Sequence, residues 1–127
     1  MNDRATLLFT AEHEWVSVDD GVATFGVTDY AAGQLGDVVY VDLPAQGAEI
    51  IAGQVCGEIE STKSVSEIYS PVTGRVLEIN GDVDADPALV NADPFGRGWL
   101  VRAALSGSAP TGLLDRDAYR RLTGESA

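Results

Sequence analysis

The residue with the clearest chemical potential in this chain of 127 residues is Lys63, its single lysine. It follows Glu60-Ser61-Thr62, and β-like runs at 55–60 and 65–69 flank it. This arrangement predicts that the amine lies at the exposed tip of a hairpin. A lysine amine can be acylated, whereas the guanidinium groups of the seven arginines stay charged and unreactive. An alternative is that arginine has replaced lysine across the surface and left Lys63 by chance.

The acids around Lys63 favour presentation of its amine over catalysis by it. Glu58, Glu60 and Glu67 lie near it in the sequence, and their carboxylates stabilise the ammonium form, which is not a nucleophile. A lysine that another enzyme modifies needs only exposure and a rigid turn. We therefore predict a modification site at Lys63 and no catalytic residues in this chain.

Other reactive side chains are scarce. Cys56 is the only cysteine and His13 the only histidine, so an internal disulfide and a Cys/His zinc set are excluded. Cys56 lies in an apolar run, where a small buried thiol is the usual outcome. No nucleophile–base pair is visible, and we expect neither an enzyme nor a metal site.

The charge of the chain limits its partners. Twenty acidic and eight basic residues give a formal net charge of −12, which repels nucleic acids and anionic membranes. Such a surface suits partners with basic docking sites, although the charge could serve solubility alone. It also favours a monomer. No apolar stretch approaches a membrane span or a secretory signal, so we expect a cytoplasmic, bacterial protein.

Short apolar runs separated by Gly, Pro and Asp fill the chain from about residue 11 to 105. Alternation in 15–18 and 22–27 around Asp19-Asp20-Gly21 predicts a hairpin. Many short strands at close spacing predict a mostly β sandwich or barrel. We expect a single domain over 1–127, with a core at about 9–105.

Helical signals are few. Thr28 and Gly36 have the types expected for the cap and the stop of a short helix. Asp115 can cap a second helix, at about 115–122, in which Leu114 and Tyr119 occupy the positions of a hydrophobic staple. Three residues should give that helix its buried face: Leu113, Ala118 and Leu122. We expect the helix to cover a sheet edge or an open end of the fold.

Several motifs, in this order along the chain, carry a resemblance to a known family: 12–15 (EHEW), 26–30 (GVTDY), 35–39 (LGDVV), 60–64 (ESTKS), 69–74 (YSPVTG), 91–95 (NADPF) and 98–100 (GWL). Together they resemble the H proteins of the glycine cleavage system. The resemblance extends from about Phe9 to Leu122. It implies an antiparallel β-sandwich or barrelled hybrid of the biotinyl/lipoyl-carrier type, with a C-terminal α-helix and short helical turns.

The resemblance also implies a cofactor and partners. Lys63 would carry lipoic acid in amide linkage, because the family's Glu-Ser-x-Lys motif falls on residues 60–63. The lipoyl arm would take an aminomethyl group from the glycine decarboxylase (P protein) to the aminomethyltransferase (T protein). Its dithiol would then go to the dihydrolipoyl dehydrogenase (L protein). A lipoate ligase or a lipoyl/octanoyl transferase would attach the group.

Two acids would shelter the loaded arm by analogy with the family, Glu14 of the His-Glu-Trp motif and Glu67. Carboxylates would hold the protonated amine of the load and limit its hydrolysis. The family often has Asp at the position of Glu67, and both acids could instead be solvated strand residues. Val65 replaces a small residue of the family, and we expect its side chain to face inward.

Other swinging-arm carriers are the main alternatives. Biotin acceptors usually place methionine on each side of the lysine, but Thr62 and Ser64 flank Lys63. The lipoyl domains of 2-oxo-acid dehydrogenases usually show Asp-Lys-Ala and are shorter. An H-like protein that delivers lipoate to other enzymes stays open as a further alternative.

Overall fold

The computed structural model describes residues 7–106 and 113–123. Its strands are β1 (Leu8–Phe9), β2 (Glu14–Asp19), β3 (Val22–Val27), β4 (Val38–Asp42), β5 (Glu49–Ile50), β6 (Val55–Ser61), β7 (Val65–Tyr69), β8 (Gly74–Ile79) and β9 (Val101–Leu105). Its helices are α1 (Asp29–Leu35), α2 (Gly81–Ala85), α3 (Leu89–Ala92) and α4 (Arg116–Thr123). None of the helices in these two ranges is long and apolar enough to cross a membrane.

The strands pair antiparallel into two sheets. One has six strands in the order β1-β2-β3-β9-β8-β5, and the other has three in the order β4-β6-β7. The predicted mostly β fold with antiparallel sheets and a C-terminal helix is therefore confirmed. The turn between β2 and β3 contains Asp20 at φ 51° and Gly21 at φ 78°. Two successive positive φ values are typical of tight hairpin turns, so the prediction from the Asp-Gly pair is also confirmed.

The main hydrophobic core includes side chains from both sheets, such as Val16 and Phe25 from the larger one and Ile59 and Ile68 from the smaller. Val65 is not part of it. The prediction that Val65 faces inward is wrong, because 60% of this residue is exposed. Ile59 pairs with Ser66 rather than with Val65. Since neighbouring residues of a strand point to opposite faces, this register turns Val65 outward.

Helix α1 has the predicted ends. Its first turn is capped by Thr28, whose Oγ1 accepts a hydrogen bond from the backbone N–H of Ala31 at 3.1 Å. The helix stops at Gly36, which has a φ of 81°. A residue with a side chain is strained in this region, whereas glycine adopts it readily.

Helix α4 starts and ends one residue later than predicted. The Asp115 carboxylate accepts a hydrogen bond from the N–H of Ala118 at 2.8 Å, which confirms it as the cap. The helix packs on β1, the edge strand of the larger sheet. It buries Tyr119 in a second hydrophobic cluster, which also includes Phe9 and Trp15.

The predicted buried face of α4 is wrong for Leu122, because this residue is 51% exposed. Strand β1, on which the helix packs, has only two residues, and Leu122 lies in the last turn of the helix. Glycine is typical of the position after a helix, which predicts that this helix stops at Gly124, but Gly124 lies outside the described residues.

Candidate functional site

Lys63 lies in the turn between β6 and β7, and its side chain is exposed. Ser61 organises this turn, because its Oγ accepts hydrogen bonds from the N–H groups of Lys63 and Ser64 at 3.2 and 3.0 Å. The Ser61 N–H donates to the Ser64 carbonyl at 2.8 Å, and the Thr62 N–H donates to the Asp37 carbonyl at 3.0 Å. The predicted exposed hairpin tip is therefore present, and its backbone is fixed on both sides of the lysine.

The stem of Lys63 lies against the end of α1. A Cβ atom built on Gly36 would come within 3.0 Å of Lys63 Cε, so the absence of a side chain there makes room for the lysine. Asn91 holds this segment: its Nδ2 donates to the Gly36 carbonyl at 2.8 Å, and its Oδ1 accepts from the Val38 N–H at 2.9 Å. The backbone and stem of Lys63 are therefore supported, and its amine is exposed.

A cleft of about 420 Å³ opens beside the turn. Its volume lies in the range of pockets that hold small organic groups. Lys63 is one residue away from Ser64, which lines the cleft. The walls come mainly from the start of β2 with the residues before it, from one side of α1, and from β7 with the turn before it; β3 and β6 contribute one residue each. The lining residues are Glu12, His13, Glu14, Val27, Tyr30, Ala31, Gln34, Leu35, Ile59, Ser64, Val65, Ser66 and Glu67.

Glu14 is the buried acid of the cleft, with only 1% of its surface exposed. Its Oε1 accepts a hydrogen bond from the Thr10 hydroxyl at 2.7 Å, and its Oε2 accepts one from the Tyr69 N–H at 3.0 Å. Burial is the main effect and raises the pKa of Glu14 to about 7. The two hydrogen bonds lower this pKa, and the nearby charge of Glu12 raises it slightly. Near neutral pH the carboxyl can therefore exist in both protonation states.

Glu67 is the exposed acid of the same cleft, on β7. Its Oε1 accepts a hydrogen bond from the Tyr69 hydroxyl at 3.1 Å, and this bond is the main cause of a raised pKa of Tyr69. The structure thus brings Glu14 and Glu67 into one cleft, which is also lined by Ser64, the residue next to Lys63. Together these groups can hold a cation at the end of a chain attached to the lysine, because carboxylates form strong hydrogen bonds with protonated amines.

The sequence analysis missed most of the α1 wall, which consists of Tyr30, Ala31, Gln34 and Leu35. The signal was available, because these positions follow a helical spacing after the Thr28 cap and so share one face. It also missed Thr10, which holds Glu14, since no pattern links a loop residue to a particular buried acid. Within residues 7–106 and 113–123, no group of three or more His, Cys, Asp or Glu side chains could hold a metal ion.

Comparisons with known proteins agree with this geometry. The profile of the family described as "Glycine cleavage H-protein" matches residues 7–126. The glycine cleavage system H protein of Clavibacter sepedonicus is 57% identical over 125 residues, which is 98% of this chain and 100% of the relative. That of Streptomyces avermitilis is 51% identical over 125 residues, covering 98% and 99% of the two chains.

A solved structure gives the same result. The crystal structure of a glycine cleavage system H protein from Mycobacterium marinum superposes with a TM-score of 0.89 at 37% identity, and the match covers 94% of this chain and 98% of that one. The chain therefore belongs to the glycine cleavage H-protein family, the lipoyl-carrying shuttle proteins of the glycine cleavage system.

Proposed function

We propose that this chain acts as a shuttle through a lipoyl group in amide linkage to Lys63. The observation that carries the proposal is the exposure of the only lysine on a turn that Ser61 fixes with hydrogen bonds. A lipoyl group would supply a disulfide that accepts the aminomethyl group on one sulfur while the other becomes a thiol, and removal of the group by the next enzyme would leave a dithiol to be reoxidised. The role of the chain is to present and protect the attachment point, and catalysis belongs to its partners.

The surroundings of Lys63 support this attachment. The amine is exposed for acylation, while the lysine stem lies against Gly36 and the turn backbone is held. A rigid base reduces the conformational entropy that a modifying enzyme must remove when it binds the turn. The cleft next to the turn is large enough for a small organic group.

We assign Glu14 and Glu67 to the protection of the carried amine. A protonated amine in the cleft would favour the ionised form of Glu14, because an opposite charge nearby lowers the pKa of a carboxyl. Thr10 holds one oxygen of Glu14 and the Tyr69 N–H holds the other, so the carboxylate would meet the cation from a fixed position in the cleft lining. Glu67 would complete the contact at the exposed side of the cleft.

The partners follow from the family and from the charge of the chain. Proteins of this family work with the P, T and L proteins of the glycine cleavage system. We propose that a lipoate ligase or a lipoyl/octanoyl transferase attaches the group, that the chain works as a monomer, and that it acts in the bacterial cytoplasm. The net charge of −12 supports both the monomer and partners with basic docking surfaces.

The attachment can be tested by intact mass spectrometry after incubation with a lipoate ligase, lipoic acid and ATP. We expect the wild-type chain to gain the mass of one lipoyl group and Lys63→Arg to gain none. Since the chain has one lysine, the two chains differ only in the proposed acceptor. A folded wild-type chain that gains no mass, with a ligase active on a control protein, would refute the carrier function.

Protection of the load needs a separate experiment. The aminomethyl group is lost when water hydrolyses it to formaldehyde and ammonium and leaves the free thiol. We expect Glu14→Ala to speed the release of formaldehyde from the loaded protein. Glu49→Ala is the matched control, because Glu49 is an exposed strand acid that does not line the cleft. Equal release rates in the two variants would show that Glu14 does not protect the load.

A further inference from the structure

Through its hydroxyl group, Tyr119 of the C-terminal helix connects two parts of the fold that line the cleft, the loop before β2 and helix α1. The residue is 4% exposed, and its ring stacks on Phe9 with a centroid distance of 4.7 Å. The hydroxyl oxygen lies 2.8 Å from Nδ1 of His13 and 2.7 Å from Oγ1 of Thr28. One buried oxygen of α4 therefore contacts the loop before β2 and the cap of α1 at the same time.

Both of these contacts lead directly to residues that line the cleft. His13 lines it, and its ring also lies against the ring of Tyr30 with a centroid distance of 4.9 Å. Thr28 caps α1 by accepting a hydrogen bond from the N–H of Ala31, and both Tyr30 and Ala31 belong to the α1 wall. Tyr119 itself does not line the cleft.

The backbone of His13 needs external support. Its φ is 70°, a left-handed conformation that is uncommon for residues other than glycine. Backbone hydrogen bonds hold it in place, from the His13 N–H to the Thr10 carbonyl at 3.1 Å and from the Thr28 N–H to the His13 carbonyl at 3.0 Å. Glu14 is the next residue, so the conformation of His13 sets the position of the buried acid.

One arrangement of the protons lets both hydroxyl groups donate within this network. Thr28 Oγ1 already accepts from Ala31, so its own proton can go to the Tyr119 oxygen, and the Tyr119 proton can go to Nδ1 of His13. Each hydroxyl then donates once, and His13 is neutral with its proton on Nε2. Burial lowers the pKa of His13, against the opposing effect of Glu12, which agrees with a neutral ring.

We propose that Tyr119 is a positioning residue for the carrier function: its hydroxyl sets the tautomer and orientation of His13 and ties that loop to α1, which keeps the cleft in the shape that protects the load. This inference rests on the proposed function, because it concerns the same cleft. It adds a role for the C-terminal helix, whose Tyr119 also meets the His13 ring edge-on with a centroid distance of 5.7 Å.

Tyr119→Phe tests the proposal, since it removes the hydroxyl and keeps the ring that packs on Phe9. The matched control is Tyr40→Phe, which removes the hydroxyl of a half-exposed tyrosine on β4 that does not line the cleft. The first readout is the tautomer of His13 in the unmodified protein, from the nitrogen chemical shifts of its ring. We expect the Nε2–H form in the wild type and in Tyr40→Phe, and a mixture of tautomers in Tyr119→Phe.

The second readout is the rate of formaldehyde release from the loaded protein. We expect Tyr119→Phe to raise this rate about fivefold, the factor that corresponds to one hydrogen bond of ordinary net strength. Tyr40→Phe should release at the wild-type rate. His13→Gln should also raise the rate, and its combination with Tyr119→Phe should give less than the product of the two effects, because both act through one contact.

The outcomes separate this inference from the proposed function. A wild-type chain that takes no lipoyl group refutes the carrier at the mass measurement, before any variant is compared. An unchanged His13 tautomer in Tyr119→Phe overturns the positioning role. A changed tautomer with an unchanged release rate also overturns it, because the hydroxyl then supports only the fold. A changed tautomer with faster release supports it.

Discussion

The buried carboxyl of Glu14 predicts that the protein loses stability as the pH rises toward neutrality. Burial raises the pKa of Glu14 from its ordinary value of 4.5 to about 7 in the folded state. The folded protein therefore holds a proton between these two values that the unfolded chain has already released. In this range, each rise in pH favours the unfolded chain.

The magnitude follows from the two pKa values. One pKa unit corresponds to about 1.4 kcal/mol, so the difference between 4.5 and about 7 is worth about 3 kcal/mol of unfolding free energy. This contribution is fully present below pH 4.5, is lost as the pH rises through about 7, and changes little above that value. Glu14→Gln removes the titrating group. Its amide oxygen can still accept from the Tyr69 N–H, and its NH2 group can donate to the Thr10 oxygen, whose hydroxyl donates to Glu14 in the wild type.

Urea unfolding from pH 4.5 to 8 measures this effect. We expect the stability of Glu14→Gln relative to wild type to increase by about 3 kcal/mol across that range. Glu49→Gln is the control, since it removes one exposed negative charge from the same chain and reports the general effect of net charge. If the Glu14→Gln and Glu49→Gln profiles stay parallel, Glu14 does not titrate near neutral pH, and the argument from its burial is wrong.

Three further substitutions test the contacts that support the turn and the side-chain stem of Lys63. Ser61→Ala should lower the rate of lipoylation about fivefold, because the turn loses the hydrogen bonds that fix it. The melting temperature should hardly change. An unchanged rate would show that the turn needs no such support. Gly36→Ala should lower the unfolding free energy by about 1–3 kcal/mol, because of backbone strain and the contact with the lysine stem. Urea unfolding measures this change. A loss below about 0.5 kcal/mol, the size usual for a surface substitution, would contradict the prediction. Asn91→Ala should cost about 1–3 kcal/mol in the same assay, because the Val38 N–H and the Gly36 carbonyl lose their partner. Full stability would mean that water replaces both bonds without loss.

The parts of the fold that the sequence predicted correctly depend on short-range chemistry. The Asp20-Gly21 turn, the Thr28 cap, the Gly36 stop and the Asp115 cap each involve residues within a few positions of one another. Backbone sterics and local hydrogen bonds determine such features, so the types of the residues are sufficient evidence.

The errors concern long-range contacts. Whether Val65 faces in or out depends on its strand register, and a shift of one residue reverses the face of every side chain. The exposure of Leu122 likewise depends on what packs against α4 in the folded chain, which the sequence of the helix does not reveal.

The candidate site shows the same division. Lys63 and its exposed turn were predictable, because the lysine is unique and lies between two β-like runs. The burial of Glu14 was not predictable from its neighbours, since it depends on Thr10 from one side and on the Tyr69 backbone from a strand of the other sheet. Glu14 is the first residue of β2, and without these two partners a residue at that position could equally be exposed to solvent.

The burial of Glu14 also bears on how a carrier can release its load. With a carboxyl pKa of about 7, Glu14 exists in both protonation states near neutral pH, so a proton competes with a cationic amine for it. An exposed acid of ordinary pKa would be ionised already and would hold the amine only weakly, since water screens the interaction. A fully buried ion pair without this competition would be slow to separate, because an unpaired buried charge is left behind when the amine leaves. At Glu14 a proton can neutralise the charge that the departing amine exposes. On the proposed function, this makes the cleft protective while the load is bound and allows the load to leave at the next enzyme.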